Sequence, residues 1–311
     1  MPAGKPPAPP RLVPADAVTI PTWRAAYSDR TAALMAIFAE LAYIPFVAAQ
    51  APPAPGAAKA EKPGGRDELA ACLAGGKFEL AQIFNRNDVQ AFLAVNPAEF
   101  AVLAFRGTAN LADWAIDLDA LRMDLPGFPG VRVHSGFWKA FAVSADEIRS
   151  AVDAAVPADL GLYITGHSLG GALAQIASAA LERDNLAACY TFGSPRVATR
   201  DFDRQVKCPH YRLVNHWDLV PGVPLASPWG YQHSGDPRLL AARTPKAPLR
   251  RDRNLLAWLA VELWSLAVWL PSRRFFAVED HMIWNYRTQL EVIAGLRTRG
   301  RGLTAAWDQH S

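Results

Sequence analysis

Apolar positions along this chain fall into two spacings that take turns. Leu34, Ile37, Phe38 and Leu41 recur at helical intervals, which predicts a helix over residues 30–43, capped by Ser28 or Asp29 and stopped by Pro45. A shorter helix is predicted over residues 67–74, ended by Gly75 and Gly76. Short continuous apolar runs at 78–84, 89–95 and 100–105 then read as strands, the first two joined by a hairpin turn through Asn85, Arg86, Asn87 and Asp88. Further on the pattern predicts an extended piece at 131–134, helix over 136–156 and strand at 162–165. A proline-free, Ala- and Leu-rich helix follows from Leu169, and further strands lie at 187–192 and 210–214. Strand alternating with helix through the second half is the signature of a mostly parallel central sheet covered by helices, an α/β fold.

Composition narrows this picture without changing it. Half of the 311 residues are apolar and a fifth charged, enough for one sizeable core and no mark of general disorder. Residues 28–298 read as a single domain with an insertion at 236–279. Residues 1–27 form a Pro-rich tail and 299–311 a C-terminal tail; residues 51–66, rich in Ala, Pro, Gly and Lys, are expected to be a surface loop. No apolar segment follows Lys5, so a secretory leader is not expected and the expected compartment is the cytoplasm. A net charge of +3 excludes an argument for nucleic acid, but the charge is unevenly placed. Between Asp236 and Arg274 eight basic residues face three acidic ones, so that segment carries +5 and the rest of the chain −2. Cys72, Cys189 and Cys208 show no C-x-x-C spacing, which supports neither a disulfide framework nor a zinc site.

Candidate chemistry centres on Gly166-His167-Ser168-Leu169-Gly170, between a predicted strand and a predicted helix. A G-x-S-x-G sequence in that setting predicts a tight turn. It strains the serine backbone, needs glycine on both sides for strand and helix to approach, and holds the hydroxyl out at the carboxyl edge of the sheet. Ser168 is therefore the candidate nucleophile. A serine hydroxyl needs an imidazole to take its proton and a carboxylate to orient that imidazole. In α/β hydrolases both partners follow the serine in the chain. Asp218, where the 210–214 strand runs out, fits the acid, whereas Asp184, Asp201 and Asp203 read as helical or surface residues. For the base, His210, His216, His233 and His281 are open. His281 follows Glu279 and Asp280, a natural cap, and is expected to open a helix through Ile283, Tyr286, Leu290 and Ile293; His233 is its rival. His167 abuts the serine on the wrong side, and His310 lies in the tail.

Six blocks carry a resemblance: residues 101–120, 133–141, 162–177, 190–197, 211–224 and 279–286, among them AFRGTANLADW, ITGHSLGGALAQ, YTFGSPRV and EDHMIWNY. Together they resemble the class 3 lipases, the α/β-hydrolase family that includes the filamentous-fungal triacylglycerol lipases. The resemblance implies an α/β-hydrolase fold, with Ser168 as nucleophile, Asp218 as acid and His281 as base. It also implies an oxyanion hole from the backbone N–H groups of Thr108 and Leu169, and a lid over residues 109–121 with Trp114 as its apolar anchor. Arg106 is expected in a structural ion pair. No metal or organic cofactor is implied.

The departure from the family is the long connection from Asp236 to Glu279, in which a basic stretch precedes residues 255–270, LLAWLAVELWSLAVWL, with three tryptophans. Sixteen residues are short for a membrane span. An interfacial helix, a second lid and an ordinary buried helix are the remaining readings, with residues 250–274 as the candidate contact to a lipid or membrane surface. The implied substrate is an acylglycerol, hydrolysed by a triacylglycerol lipase. Alternatives are a phospholipase A1, a short-chain carboxylesterase, or a catalytically silent hydrolase-fold protein that binds lipid.

Overall fold

In a computed structural model of the protein, the described residues are 26–45, 65–86, 89–107, 122–181, 183–216, 218–224, 226, 230–240 and 280–299. Helix α1 (Asp29–Leu41) starts at Ser28, whose hydroxyl accepts from the Thr31 N–H at 3.4 Å. Helix α2 spans Gly65–Ala74, so two residues of the expected surface loop belong to it. The hairpin forms as expected from β1 (Glu79–Arg86) and β2 (Val89–Asn96), and β3 (Phe100–Phe105) pairs antiparallel to β2. Beyond β3 the sheet is parallel through β6 (Leu162–His167), β7 (Leu186–Phe192), β8 (His210–Asn215) and β9 (Asp236–Leu240). Among the described residues this gives a seven-stranded sheet in the order β1-β2-β3-β6-β7-β8-β9, with β4 (Arg122–Asp124) and β5 (Arg132–His134) as a separate two-stranded ribbon.

Alternation along the strands divides the core in two. Phe100, Val102 and Ala104 bury toward α1, α2 and the last helix, α6 (Ile283–Arg299). Ala101, Leu103 and Phe105 bury on the other face, under α3 (Ser135–Ala142), α4 (Ala145–Ala155) and α5 (Leu169–Ala180). A sheet covered on both faces needs strands apolar at nearly every position, which is why the strand runs read as continuous and not alternating. On the first face Arg287 of α6 reaches Glu40 of α1 at 2.6 Å, although burial pushes the Glu40 carboxyl up against the pull of that guanidinium. The pair thus sets how the helices lie more than it stabilises them.

Three expectations change. The single helix over 136–156 is two helices, broken at Val143 and Ser144, where the order of exposure is reversed: Val143 is 46% exposed and Ser144 fully buried. The break lets Phe137 and Phe141 pack beneath α5 while Ile148 and Val152 turn toward the β1–β2 hairpin. The insertion expected from Asp236 begins instead with β9, paired to β8 from Tyr211↔Asp236 to Asn215↔Leu240, so its first five residues complete the sheet. His281 does not open the last helix: α6 starts at Ile283, after a break at Met282. Residues 241–279, with the apolar run 255–270, and the expected lid at 109–121 lie outside the described residues, as do the two tails apart from residues 26, 27 and 299. Among the described residues no helix is long and apolar enough to cross a membrane.

Candidate active site

The sheet register determines where the site forms. Phe105 pairs with Gly166, His167 with Phe192, and Phe192 with Leu213, so β3, β6, β7 and β8 end at nearly one level. The residues that leave these ends, Arg106-Gly107, Ser168, Gly193 and the 215–218 segment, therefore emerge on one edge.

Ser168 sits between β6 and α5 with φ 58° and ψ −127°, a region essentially reserved for glycine and costing on the order of 1–3 kcal/mol in any other residue. Its N–H donates to the Phe192 carbonyl at 2.9 Å, and its carbonyl receives the Gly171 and Ala172 N–H groups that start α5. The flanking glycines are demanded by contact. A Cβ on Gly166 would stand 2.2 Å from the Gly170 oxygen, and one on Gly170 would stand 2.3 Å from the Phe105 oxygen. The turn expected from G-x-S-x-G is present with the strain it requires.

Asp218 follows β8 and is buried with three kinds of donor on its carboxylate. His281 Nδ1 lies 2.9 and 2.8 Å from the two oxygens, the Val220 N–H donates to Oδ1 at 2.9 Å, and the Tyr286 hydroxyl donates to Oδ2 at 2.6 Å. A buried carboxylate so surrounded keeps its charge compensated. Because it can only accept, His281 Nδ1 carries the proton and Nε2 presents its lone pair. Nε2 is buried and has no hydrogen-bond partner among the described residues, so the Ser168–His281 hydrogen bond is not formed in this state. Such bonds commonly tighten only when substrate arrives.

The rival histidines His210 and His233 have structural partners. His210 bonds the Thr191 hydroxyl at 2.9 Å and Ser234 at 3.3 Å, His233 Nε2 donates to the Pro221 carbonyl at 2.9 Å, and His216 is exposed beyond β8. Only His281 among the described histidines touches Asp218. Asp203 accepts from the Gly235 N–H at 2.8 Å, and Asp201 pairs with Arg204 on the surface. Arg106, expected in an ion pair, bonds the Gln90 amide oxygen and lies over the Tyr43 ring, with no carboxylate partner among the described residues. Leu169 is the first residue of α5, so its N–H is one of the orphan donors at that end. Thr108 and Trp114 lie outside the described residues. Adjacent Gly107 is so tightly held that a Cβ would stand 2.6 Å from the His167 oxygen and 3.1 Å from Ser168 Cβ. All three cysteines are free and buried, and no cluster of His, Cys, Asp or Glu among the described residues could hold a metal ion.

Two further residues, Tyr286 and Gly193, shape the site. Tyr286 reads in the sequence as one apolar position on a helix face, yet its hydroxyl bridges the acid and the Asn215 N–H, the latter at 2.9 Å. A fully buried tyrosine has to find a partner for its hydroxyl, which is the available signal. Gly193, just past β7, has φ 54°, and a Cβ there would stand 2.5 Å from Asp218 Oδ2 and 3.1 Å from His281 Nδ1. Asn215 adds a third tie: its amide donates to the Asp280 carbonyl at 2.8 Å, holding the main chain next to the histidine. Tyr286→Phe is expected to lower kcat about tenfold. It should also cost about 1–3 kcal/mol of stability, because it strips a donor from a buried carboxylate and an acceptor from the Asn215 N–H. Steady-state kinetics and denaturant titration check both.

Burial also depresses four histidines that stay neutral in the fold: His134 to about 4, His210 to about 3, and His167 and His233 well below the usual value. In the unfolded chain each takes up a proton near pH 6.5 while the native state does not, so stability rises with pH across this window and is lost on acidification. The expected result is a denaturation midpoint that is flat above pH 7. From about pH 6.5 toward 4 it should fall, as the unfolding free energy drops by about 1.4 kcal/mol per pH unit for each histidine still neutral in the fold.

Residues 102–227 match the family model described as Lipase (class 3). This stretch, which holds Ser168 and Asp218, is similar to that family, and the architecture is an α/β-hydrolase fold. The chain is 33% identical over 156 residues to "Secreted mono- and diacylglycerol lipase 1" of Fusarium solani, covering 48% of this chain and 46% of that protein. It is 31% identical over 192 residues to "Phospholipase A1-II 1" of Oryza sativa, covering 52% and 48%. Among solved structures, that of the Rhizomucor miehei lipase propeptide complex aligns with a TM-score of 0.50 at 28% identity, over 54% of this chain and 58% of that one. The chain spans about half the length of the curated relatives it matches.

Proposed function

We propose that this protein hydrolyses carboxylic esters of lipids, acylglycerols first, through an acyl-enzyme on Ser168. The observation that carries the reading is a serine held in a glycine-only backbone conformation at the sheet edge where the buried, hydrogen-bonded Asp218–His281 pair also stands. In the first half-reaction His281 Nε2 takes the Ser168 proton as Oγ bonds to the ester carbonyl carbon. The oxyanion is held by the N–H groups of Leu169 and Thr108, each such donor being worth about 3 kcal/mol of barrier. Asp218, fixed by Tyr286 and Val220, stabilises the imidazolium, which then protonates the departing alcohol. Water, deprotonated by the same nitrogen, attacks the acyl-enzyme and releases the fatty acid. Residues 109–121 as a lid, and residues 250–274 as a contact to lipid surfaces, belong to the same proposal.

Phospholipid is the second reading, favoured by the +5 balance of residues 236–274, which suits an anionic surface, and by the name of the rice relative. The test is a fluorophosphonate label followed by rates on p-nitrophenyl esters from C2 to C16, on emulsified triacylglycerol and on phosphatidylglycerol vesicles. Labelling of Ser168, with rates that rise with chain length and at the emulsion, is the expected result. No labelling sinks the enzyme reading. Activity confined to C2–C4 leaves an esterase, and preference for vesicles over emulsion selects the phospholipase.

A further inference from the structure

The residue just before the nucleophile has an unexplained set of contacts. His167 is 3% exposed, its ring lies 4.5 Å from the ring of His281, and its Nε2 stands 2.5 Å from the His281 carbonyl oxygen. A carbonyl only accepts, so Nε2 carries the proton and Nδ1 is left as an acceptor. The donor to Nδ1 is the Tyr43 hydroxyl, 2.7 Å away and 124 residues distant in sequence. Gly107 is pressed on that hydroxyl so closely that a Cβ would stand 2.3 Å from the oxygen. Tyr43 itself follows the last turn of α1, where its N–H bonds the Glu40 carbonyl at 2.9 Å. A line of contacts therefore runs from Gly107, packed on Tyr43, through hydrogen bonds to His167 and on to the His281 main chain.

From this we infer that Tyr43 and His167 are positioning residues that tie the start of the oxyanion segment to the backbone of the base. The inference rests on the ester-hydrolase reading above. Neither residue touches the reacting atoms. Their effect is on where Gly107, which leads into the oxyanion segment, stands relative to His281. The chain crosses directly beneath Ser168, whose Cβ lies against Gly107. A donor and a base that must act on one tetrahedral carbon need a shared reference, and misplacement by about 1 Å costs on the order of 10²-fold in rate. The chain also assigns His167 a reason to be histidine: the position needs a donor and an acceptor on opposite sides of one flat ring, with no charge. Burial and the nearby His281 ring hold it neutral.

The test measures kcat and KM on p-nitrophenyl butyrate, per site titrated with fluorophosphonate, together with amide exchange of peptides containing Gly107 and His281. Tyr43→Phe keeps the ring and removes only the hydroxyl. It is expected to lower kcat about 30-fold, leave KM within about twofold, and quicken exchange in both peptides. His167→Leu should do the same. His167→Gln, whose amide N–H can still reach the His281 carbonyl, should recover most of the loss. A merely structural role would lower melting temperature and the titrated fraction but leave kcat per site unchanged. Tyr43→Phe within about twofold of the parent kcat, with exchange unchanged, overturns the inference. So does His167→Leu matching His167→Gln. If the parent chain hydrolyses no ester, the functional reading fails, and the exchange measurement alone decides whether Tyr43 ties the two segments.

Discussion

Replacing Ser168 with alanine is expected to end covalent labelling and lower kcat on the order of 10⁶-fold, the loss seen when a triad nucleophile is removed. The fold should survive, because the strain at this position lies in the backbone. Alanine at φ 58° and ψ −127° is as uncomfortable as serine, and the contacts of Gly166 and Gly170 that force the turn are untouched. Glycine is the informative partner. Ser168→Gly should be as inactive as Ser168→Ala yet melt higher, since it relieves about 1–3 kcal/mol of conformational strain against roughly 0.4–1 kcal/mol of added freedom in the unfolded chain. Differential scanning calorimetry on the two variants measures that difference. Equal melting temperatures would mean the elbow stores no strain, and retained activity in either would remove Ser168 from the mechanism.

Asp218→Asn carries the next largest effect, a fall in kcat of about 10⁴-fold. The carboxylate accepts from His281 Nδ1, Tyr286 and the Val220 N–H, three donors converging on two oxygens. An amide can offer only one oxygen. Turned to accept from His281 and Tyr286 on Oδ2, it aims its NH₂ at the Val220 N–H. Turned the other way, it leaves Nδ1 facing a donor and selects the tautomer with the proton on Nε2, which cannot accept from serine. Either arrangement leaves a buried donor unpaired, at about 1–3 kcal/mol. The expected signature is thus a joint loss of activity and stability, unlike Ser168→Ala. Kinetics with a denaturant titration on the same preparation separates the two, and activity within about tenfold of the parent would remove Asp218 from the acid's role.

Of the site, the parts legible along the chain are those that depend on neighbours in sequence. The strand-turn-helix at Ser168 follows from a local steric rule, as do the glycines two residues away. Asp218 was legible because a strand that ends at the sheet edge puts the next polar residue there. The split at Val143 and Ser144 escaped notice because either helix face is apolar enough to continue the pattern. Only the layer it packs on shows that the chain must turn. Strand β9 escaped because its five residues, with a proline second, look like the start of a basic loop. Pairing to β8 is what makes them a strand, and the edge position is what tolerates Pro237.

By itself, then, the sequence determined an α/β sheet, a strained turn at Ser168 and a carboxylate placed after it, because periodicity and turn sterics act over a few residues. The tertiary structure decided which histidine meets Asp218, 63 residues away, and left His210 and His233 with structural partners. It also recruited Tyr286 and Gly193 around Asp218, and Tyr43 against His167 beside Ser168. A buried hydroxyl or imidazole must find its complement wherever the fold brings one, and that complement is set by the register of β3, β6, β7 and β8, which no local pattern records.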